Sequence, residues 1–462
     1  VINVTGAMTI NSGTRSIILD SVANKFGTIN VVGGDVQLVE SNDSELGMVN
    51  VTRLTLNSGG VVSQTANSVL KVTVGALKID GGSHAITLAG PDNNFESMDL
   101  TGGIVTIVEQ SASKIDRLRV DQLTLTSAGV TQNIDGQLSV TRQLSLNTGT
   151  NDISLTGPNN SFGSIAVVKG GKVTINEVDS SVLAIVDVRE LTLTAGESIS
   201  ATGPVLVELA ATFETEGNDI TLTDPANAFG TLNLTGSTVT VNESDGSKLG
   251  NVRASTSLRL TSGMSITDVP GSILSVGSGV LVAVEDITLG DGVSDDVRFG
   301  TIDFTARNIT FTEVDGTTLA NLQAEGSLTL RSRNSSITEL PDAVVAVGGL
   351  STFQTEGNAI TLANDRNTFG SIAVIGAGAV SLTDKTASVL GDINSASFIL
   401  TSGGPITDTG KITTGLASFT TTDDITLDNR ANTFGQILLV GDDVMAESAE
   451  DITVSRIVAR NA

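Results

Sequence analysis

One phrase recurs along this chain at nearly constant spacing. Residues 219–234 read DITLTDPANAFGTLNL, and residues 424–439 read DITLDNRANTFGQILL. The phenylalanine of the phrase returns at intervals of 69, 67, 67, 70, 70 and 65 residues. Such self-similarity predicts a stack of repeated units rather than a series of separate globular domains. The phenylalanine markers are Phe26, Phe95, Phe162, Phe229, Phe299, Phe369 and Phe434.

Each period of about 68 residues contains three phrases of about 22 residues, and each phrase holds short runs of alternating polarity. Alternation predicts β-strands with one buried face and one exposed face. Leu258 and Leu260 are expected to point inward and Arg259 outward, and Val239 and Val241 are expected to point inward. Because such a phrase cannot bury its apolar face alone, it must stack on its neighbours.

The sequence therefore predicts an all-β fold, a right-handed parallel β-helix of about twenty coils with three coils per repeat. At a strand spacing of about 4.8 Å, twenty coils would form a rod of roughly 95 Å. The alternative is a string of β-sandwiches, each of about 68 residues. Such domains would be small for a two-sheet core without disulfides. The Asn-Gly and Asp-Gly turns that join hairpins are also scarce.

We expect one continuous β-helix over residues 1–462. It opens with the third coil of a repeat, residues 1–26, and closes with a partial repeat, residues 435–462. The complete repeats between them end near residues 95, 162, 229, 299, 369 and 434.

Composition excludes several classes of function. The chain has 51 acidic and 25 basic residues, a net charge of −26, so it lacks the excess of cations that nucleic acids and anionic membranes require. It contains no Cys, which rules out disulfides and thiolate chemistry. No apolar run approaches the roughly 18 residues that predict a membrane-spanning helix. Trp and Tyr are absent as well.

Two recurring residues are interpreted as structural. The phenylalanine should fill a corner of the coil, where a smaller side chain would leave a void. An asparagine two residues earlier should occupy a turn, since Asn tolerates left-handed backbone and bonds nearby backbone groups. Equivalent asparagines are expected three coils apart, about 14 Å, too far to share one ion. They are Asn24, Asn93, Asn160, Asn227, Asn367 and Asn432, and Val297 breaks the pattern.

Acidic residues recur after the first strand pair of a repeat. Paired carboxylates could bind Ca²⁺, which takes oxygen ligands from loops, but solvated loop charge is the favoured interpretation. The weak Ca²⁺ candidates are Glu177, Asp179, Glu243, Asp245, Glu313 and Asp315. No cofactor is otherwise expected. The only histidine, His84, has no nucleophile placed beside it, and we expect no enzyme activity.

The residues from NTFGSIAVIGAGAVSLTDKTASVLG to FILTSGGPITDTGKITTGLASFTTTDDITL resemble the β-strand repeats of giant bacterial surface proteins. These are similar to the filamentous-haemagglutinin class of adhesins, and the resemblance covers the whole chain. It implies a right-handed β-helical shaft, export to the bacterial cell surface, and a role as adhesin stalk, fibre or envelope layer.

The leading hypothesis is therefore a non-catalytic structural shaft outside the cell. The alternatives are a carbohydrate- or protein-binding adhesin region and, more remotely, a β-helical polysaccharide lyase. Uncapped coil ends expose backbone groups and apolar surface that template further strands. We expect them to be covered by more of the same polypeptide or by head-to-tail contact with another copy, which would generate a filament. A glycan or cell-surface ligand would bind outside this segment.

Overall fold

The computed structural model describes residues 1–460, and within them the chain forms β-strands and no helix. The chain divides into two compact units, Val1–Gly230 and Thr231–Ala462. The first unit contains β1 (Met8–Asn11), β2 (Ile17–Leu19), β3 (Thr28–Glu40), β4 (Ser44–Ser58), β5 (Val62–Gln64), β6 (Leu70–Asp80), β7 (Ile86–Leu88), β8 (Asn94–Val108), β9 (Ser113–Thr126), β10 (Val130–Asn147), β11 (Ile153–Leu155), β12 (Ser161–Phe162), β13 (Ile165–Glu177), β14 (Ser181–Ala195), β15 (Ile199–Ala201), β16 (Val205–Thr215) and β17 (Ile220–Leu222).

The second unit is built in the same way, and its first strand begins in the last residues of the first unit. Its strands are β18 (Ala228–Glu243), β19 (Ser247–Ser262), β20 (Ile266–Asp268), β21 (Ile273–Ala283), β22 (Asp286–Leu289), β23 (Asp296–Ala306), β24 (Asn308–Glu313), β25 (Thr317–Ala324), β26 (Leu328–Ser332), β27 (Ile337–Glu339), β28 (Val345–Thr355), β29 (Ile360–Leu362), β30 (Thr368–Asp384), β31 (Ser388–Ser402), β32 (Ile406–Asp408), β33 (Ile412–Thr420), β34 (Ile425–Leu427), β35 (Thr433–Gly441), β36 (Val444–Ala446) and β37 (Thr453–Ala459).

Strands pair in parallel with the strands one turn before and one turn after them, which makes each unit a β-solenoid. In β8 and β9, for example, Val105 lies opposite Leu123 and Ile107 lies opposite Leu125. The predicted all-β parallel solenoid is thereby confirmed. The long strands bend around the corners of a turn, and their register shifts there, as between Val72 and Ala76. Such irregularities redirect a strand without ending it.

The alternating residues of the strands point as the sequence predicts. Val239, Val241, Leu258 and Leu260 are fully buried, and Arg259 is exposed. Each turn contributes such residues to a continuous apolar interior, and burying one Leu or Val side chain stabilises the fold by about 1.5–3 kcal/mol. The interior therefore forms by stacking, because a single turn has no apolar partner of its own.

The number of turns in a repeat differs from the prediction. Ser44 and Ser181 occupy equivalent positions two repeats apart. Each pairing between a residue and its partner in the next turn counts as one step, and seven such steps connect Ser44 to a residue close to Ser181. Seven turns thus share 137 residues, about 20 each, and one repeat makes three and a half turns rather than three. The steps run from Ser44 through Val62, Ile86, Val105, Leu123, Leu144 and Ile165 to Leu183, two residues after Ser181.

The second unit follows the same rule. Its seven steps run from Ser247 through Ile266, Ile287, Ile309, Leu328, Ser351 and Ile372 to Leu390, two residues after the equivalent Ser388. Residues 1–460 therefore make about 23 turns, more than the twenty or so expected. The strands continue through the corners with few loop residues, which shortens each turn.

Because one repeat makes three and a half turns, equivalent residues of consecutive repeats are half a turn out of step and lie on different sheets. The expected row of asparagines three coils apart is therefore wrong. Asparagines that share one sheet lie seven turns apart, about 34 Å at a strand spacing of about 4.8 Å. The prediction of one continuous solenoid over residues 1–462 stays a prediction.

Candidate functional site

The recurring asparagines are buried and form hydrogen bonds between turns. Asn24 is 2% exposed, and Asn93, Asn160, Asn227, Asn367 and Asn432 are 0% exposed. The Asn93 Oδ1 accepts the backbone N–H of Leu70 at 3.0 Å, and the Asn367 Oδ1 accepts that of Val345 at 2.9 Å. Each of these donors precedes its asparagine by about one turn, so the side chain ties two turns together.

The asparagine does stand at the end of a tight turn, but its backbone is not left-handed. The N–H of Asn93 donates to the Gly90 carbonyl at 3.2 Å, which closes a four-residue turn. Among non-glycine residues in the part of the chain that the structure describes, only Asn67 has a positive φ. The marker asparagines are therefore selected for their buried side-chain amides, because both the oxygen and the nitrogen find partners there.

A second polar residue one turn earlier meets the asparagine in most repeats. The Gln64 amide exchanges two hydrogen bonds with the Asn93 amide, at 2.8 and 2.9 Å. Gln132 forms the same pair with Asn160, at 2.7 and 2.9 Å. Carboxylates take this place beside the later asparagines: Glu339 accepts from Asn367 at 3.0 Å, and Asp408 accepts from Asn432 at 2.6 Å.

In the repeat that contains Phe299, called the divergent repeat below, an aspartate accepts the hydrogen bond that the marker asparagine accepts in other repeats. Val297 stands two residues before Phe299 and is buried, but it offers no polar group. Asp295, in the insertion that lengthens this repeat, is 5% exposed and accepts the N–H of Gly271 at 2.7 Å. Asp295 thus takes over the acceptor role of asparagine from a different position in the sequence.

A buried acid follows six of the seven marker phenylalanines, and only some of these acids were singled out from the sequence. Its carboxyl accepts the N–H of the marker phenylalanine, at 3.0 Å from Phe26 to Glu40 and 2.7 Å from Phe95 to Glu109. In five of the six cases it also meets the hydroxyl of a Ser or Thr four residues later, at 2.8 Å for Glu313 and Thr317. The exposed fractions are 3% for Glu40, 3% for Glu109, 5% for Glu177, 4% for Glu243, 0% for Glu313 and 0% for Asp384.

Burial dominates the titration of these acids. Desolvation raises the pKa of Glu177 to about 7 and that of Glu313 to about 8, although hydrogen bonds from neighbouring groups oppose the rise. The pKa values of Glu40, Glu109 and Asp384 are raised for the same reason. The interpretation of Glu177, Glu243 and Glu313 as solvated loop charge is therefore wrong, because their side chains lie inside the solenoid.

Three of the six weak Ca²⁺ candidates, Glu177, Asp179 and Asp315, contact protein groups. Glu177 bonds the Phe162 N–H at 2.8 Å, Asp179 accepts the Ser161 hydroxyl at 2.7 Å, and Asp315 lies 3.7 Å from the Arg298 guanidinium. Within residues 1–460, one group of three carboxylates lies close enough together to share an ion, and it contains none of these six candidates. It consists of Asp268, Asp291 and Asp295 in the divergent repeat.

Loop hydrogen bonds already occupy two members of that trio. Asp268 accepts the Ser272 hydroxyl at 2.7 Å and the Gly290 N–H at 3.2 Å. Asp295 accepts the Gly292 N–H at 2.6 Å in addition to that of Gly271. Repulsion from Asp295 and Asp291 contributes to the raised pKa of Asp268, after desolvation as the larger cause. The trio therefore organises the inserted loop.

The marker phenylalanines lie inside the solenoid, with 2–3% of their surface exposed. Several contact a second phenylalanine edge to face, as Phe353 and Phe369 do at 5.9 Å between ring centroids. In the divergent repeat Phe299, Phe304 and Phe311 form a triangle with centroid distances of 5.2 to 5.9 Å. Edge-to-face pairs of this kind add about 0.5–1.5 kcal/mol beyond the area they bury.

The surface offers open grooves that are lined by both polar and apolar residues. One of about 680 Å³ lies between consecutive turns of the second unit, beside Glu339, Pro341, Asn364 and Asp365. Another of about 480 Å³ in the first unit is lined by Ser139, Ser161, Asp179 and Glu197, among others. His84 is exposed, and its Nδ1 lies 3.0 Å from the Gly81 carbonyl, within the turn that contains it.

Among the described residues, no helix has the length and apolar character that crossing a membrane would require. No curated protein and no solved structure matches the chain. Seven consecutive segments, which cover most of the chain, match a single family of sequence repeats. The matched segments are residues 1–32, 33–99, 102–169, 170–235, 236–297, 306–376 and 377–441. The chain therefore belongs to the family described as repeats of unknown function, DUF5649.

Proposed function

We propose that this chain is a structural shaft segment of an extracellular fibre, surface layer or adhesin stalk on a bacterial cell. One observation carries the proposal: the residues that define the repeat are buried and connect neighbouring turns. The phenylalanines, the asparagines and the acids are all buried, and most of the asparagines and acids bond a backbone group of another turn, as Asn93 bonds Leu70 and Glu109 bonds Phe95. A catalytic repeat would instead present its recurring polar groups to solvent in a cleft.

Electron microscopy of the purified segment tests the shaft directly. Extended particles of uniform width are expected, and compact globules would refute the proposal. Surface labelling of intact cells with a membrane-impermeant amine reagent tests the location, since exposed lysines such as Lys114 and Lys248 would react. Protection of the chain in intact cells, with labelling only after lysis, would exclude the cell surface.

The proposed partner of the shaft is a further coil, supplied by the same polypeptide or by another copy. In β37, Val454 and Ile457 are 50% and 53% exposed, whereas their partners Ile437 and Leu439 in the turn before are each 1% exposed. A further coil would cover both side chains. Sedimentation of the segment over a range of concentrations is expected to show association, and Val454→Lys should abolish it.

A second candidate, a carbohydrate- or protein-binding region, is favoured by a row of hydroxyls in the second unit. Five threonines lie in register on five consecutive turns, and none of these hydroxyls bonds another group of the described chain. The row is Thr267, Thr288, Thr310, Thr329 and Thr352. Binding of the segment to a glycan array, lost on Thr310→Val, would support this function. Equal binding by that variant would exclude the row.

A further inference from the structure

We propose that the buried acids couple the stability of this solenoid to protons, so that its turns close more tightly in mildly acidic than in alkaline surroundings. The groups that carry this inference are the acids that bond the marker phenylalanines. They are Glu40, Glu109, Glu177, Glu313 and Asp384, one in each of five repeats. The inference concerns the solenoid itself and does not depend on the shaft function.

Burial favours the neutral form of each carboxyl, and the hydrogen bonds that the carboxyl accepts offset this preference only in part. The groups are 0–5% exposed, and their hydrogen-bond partners are backbone N–H groups and hydroxyls. Among the described residues, none of the five forms an ion pair with a Lys or Arg. An ionised carboxylate in such a place is costly, because neutral donors replace only part of its hydration.

When the acid is protonated, its O–H can donate a hydrogen bond to the neighbouring Ser or Thr hydroxyl. Ser44 Oγ lies 2.5 Å from Glu40 Oε1 and 2.8 Å from Ser58 Oγ, which in turn lies 3.1 Å from the Gly60 carbonyl. If Glu40 is protonated, it donates to Ser44, Ser44 donates to Ser58, and Ser58 donates to the carbonyl. Since each hydroxyl both donates and accepts, this chain satisfies the neutral acid without moving any heavy atom.

A similar chain exists beside Asp384. Ser388 Oγ lies 3.0 Å from Asp384 Oδ2 and 3.0 Å from Ser402 Oγ, which donates to the Thr386 carbonyl at 2.8 Å. The same chemistry therefore recurs in both units, although the acid is shorter by one methylene here.

In four of the five cases, the charged groups that face the acid either favour its neutral form further or have no effect on it. Asp43 faces Glu40 and Asp179 faces Glu177, and both repel the ionised form. Glu109 and Asp384 contact uncharged groups. Glu313 faces Asp315, which repels it, and Arg298, which attracts it, but the Arg298 guanidinium is directed to Asp296 at 2.7 Å and Asp315 at 3.7 Å.

The sign of the effect follows from the direction of the pKa change. Desolvation raises the pKa of Glu313 from 4.5 to about 8 in the folded chain. Between these values the folded chain keeps a proton that the opened chain releases, so opening is favoured as pH rises. The stabilisation is complete below 4.5 and lost above about 8, and at its limit the opening constant changes on the order of a thousand-fold.

Hydrogen exchange of the segment that contains the Phe299 amide tests this coupling, because that N–H donates to Glu313. Rates corrected for intrinsic exchange are compared from pH 4 to pH 9 in the wild type, in Glu313→Gln and in the matched control Glu325→Gln, whose side chain is exposed. We expect opening to rise steeply with pH in the wild type and control. In Glu313→Gln, a neutral isostere, it should stay nearly flat.

Two further measurements separate buried acids from surface repulsion and from a folding defect. In 1 M salt, where the screening length falls to about 3 Å, the pH dependence should persist. Infrared spectra of the wild type near neutral pH should show the C=O stretch of protonated carboxyl groups. Each of three results would overturn the proposal: an unchanged pH profile in Glu313→Gln, loss of the profile in salt, or no protonated carboxyl band.

Discussion

Replacing Asn93 by alanine should open the turns around it, since this side chain is 0% exposed and satisfies groups from two turns. Its Oδ1 accepts the Leu70 N–H at 3.0 Å, and its amide exchanges two bonds with Gln64 at 2.8 and 2.9 Å. Its Nδ2 also reaches the Leu88 carbonyl at 3.3 Å. Alanine can replace none of these contacts.

The magnitude follows from what the substitution leaves unpaired. An orphaned buried N–H at Leu70 costs about 2 kcal/mol, and each of the two lost bonds to Gln64 costs about 1 kcal/mol. Gln64 keeps its bonds to Ser68 and Gly90, so it is not orphaned itself. The local free energy of opening should therefore fall by about 4 kcal/mol, which accelerates exchange of the Leu70 amide on the order of a thousand-fold.

Hydrogen exchange is the appropriate assay because a repeat array opens in parts rather than in one cooperative step. The control is Asn57→Ala, an exposed asparagine in β4 of the same unit, which should leave exchange at Leu70 unchanged. A double variant that also carries Gln64→Leu should cost less than the sum of the single variants. Normal protection of Leu70 in Asn93→Ala would refute the idea that the asparagine amide ties the turns together.

Three other perturbations test the stacking of the turns. Gly370→Ala would place a Cβ 2.2 Å from the Gly348 carbonyl oxygen, so we expect the turns to open locally. Limited proteolysis should detect this as faster cleavage near residue 370. Phe304→Ala should lower the free energy of unfolding by about 3–5 kcal/mol, since it removes one of the three rings of the aromatic triangle and leaves a cavity. Phe304→Leu should lower it less, and thermal denaturation measures both. Spin labels at Thr87 and Ser154, equivalent positions in consecutive repeats, should report opposite sheets by distance measurement. A common sheet would contradict three and a half turns per repeat.

The sequence alone determined the repeat, its period and the direction of most strand side chains. Alternation with a period of two is a local property, so Leu258 and Leu260 could be assigned to the interior from neighbouring letters. The markers Phe162 and Asn160 could be recognised as structural because they recur while the residues around them vary. The parallel solenoid then follows, because no single phrase has enough apolar surface to fold alone.

The acids show where sequence reasoning stopped short. Glu177 and Glu313 were assigned to solvated loops, and Glu109 and Asp384 were not recognised at all. A signal was present in the letters, since an acid stands four residues before a Ser or Thr in six successive repeats. The pairs are Glu40 and Ser44, Glu109 and Ser113, Glu177 and Ser181, Glu243 and Ser247, Glu313 and Thr317, and Asp384 and Ser388.

Only the tertiary structure decided how many turns a repeat makes and which polar groups are buried. The length of a turn depends on whether a strand bends through a corner or ends there, and the same alternating letters permit both. Whether a carboxyl is solvated depends on the turn stacked beside it, which brings the Phe299 N–H to Glu313 across 14 residues. Asp295 acquires the role of asparagine for the same reason, because hydrogen bonds between turns depend on spatial position rather than on place in the repeat.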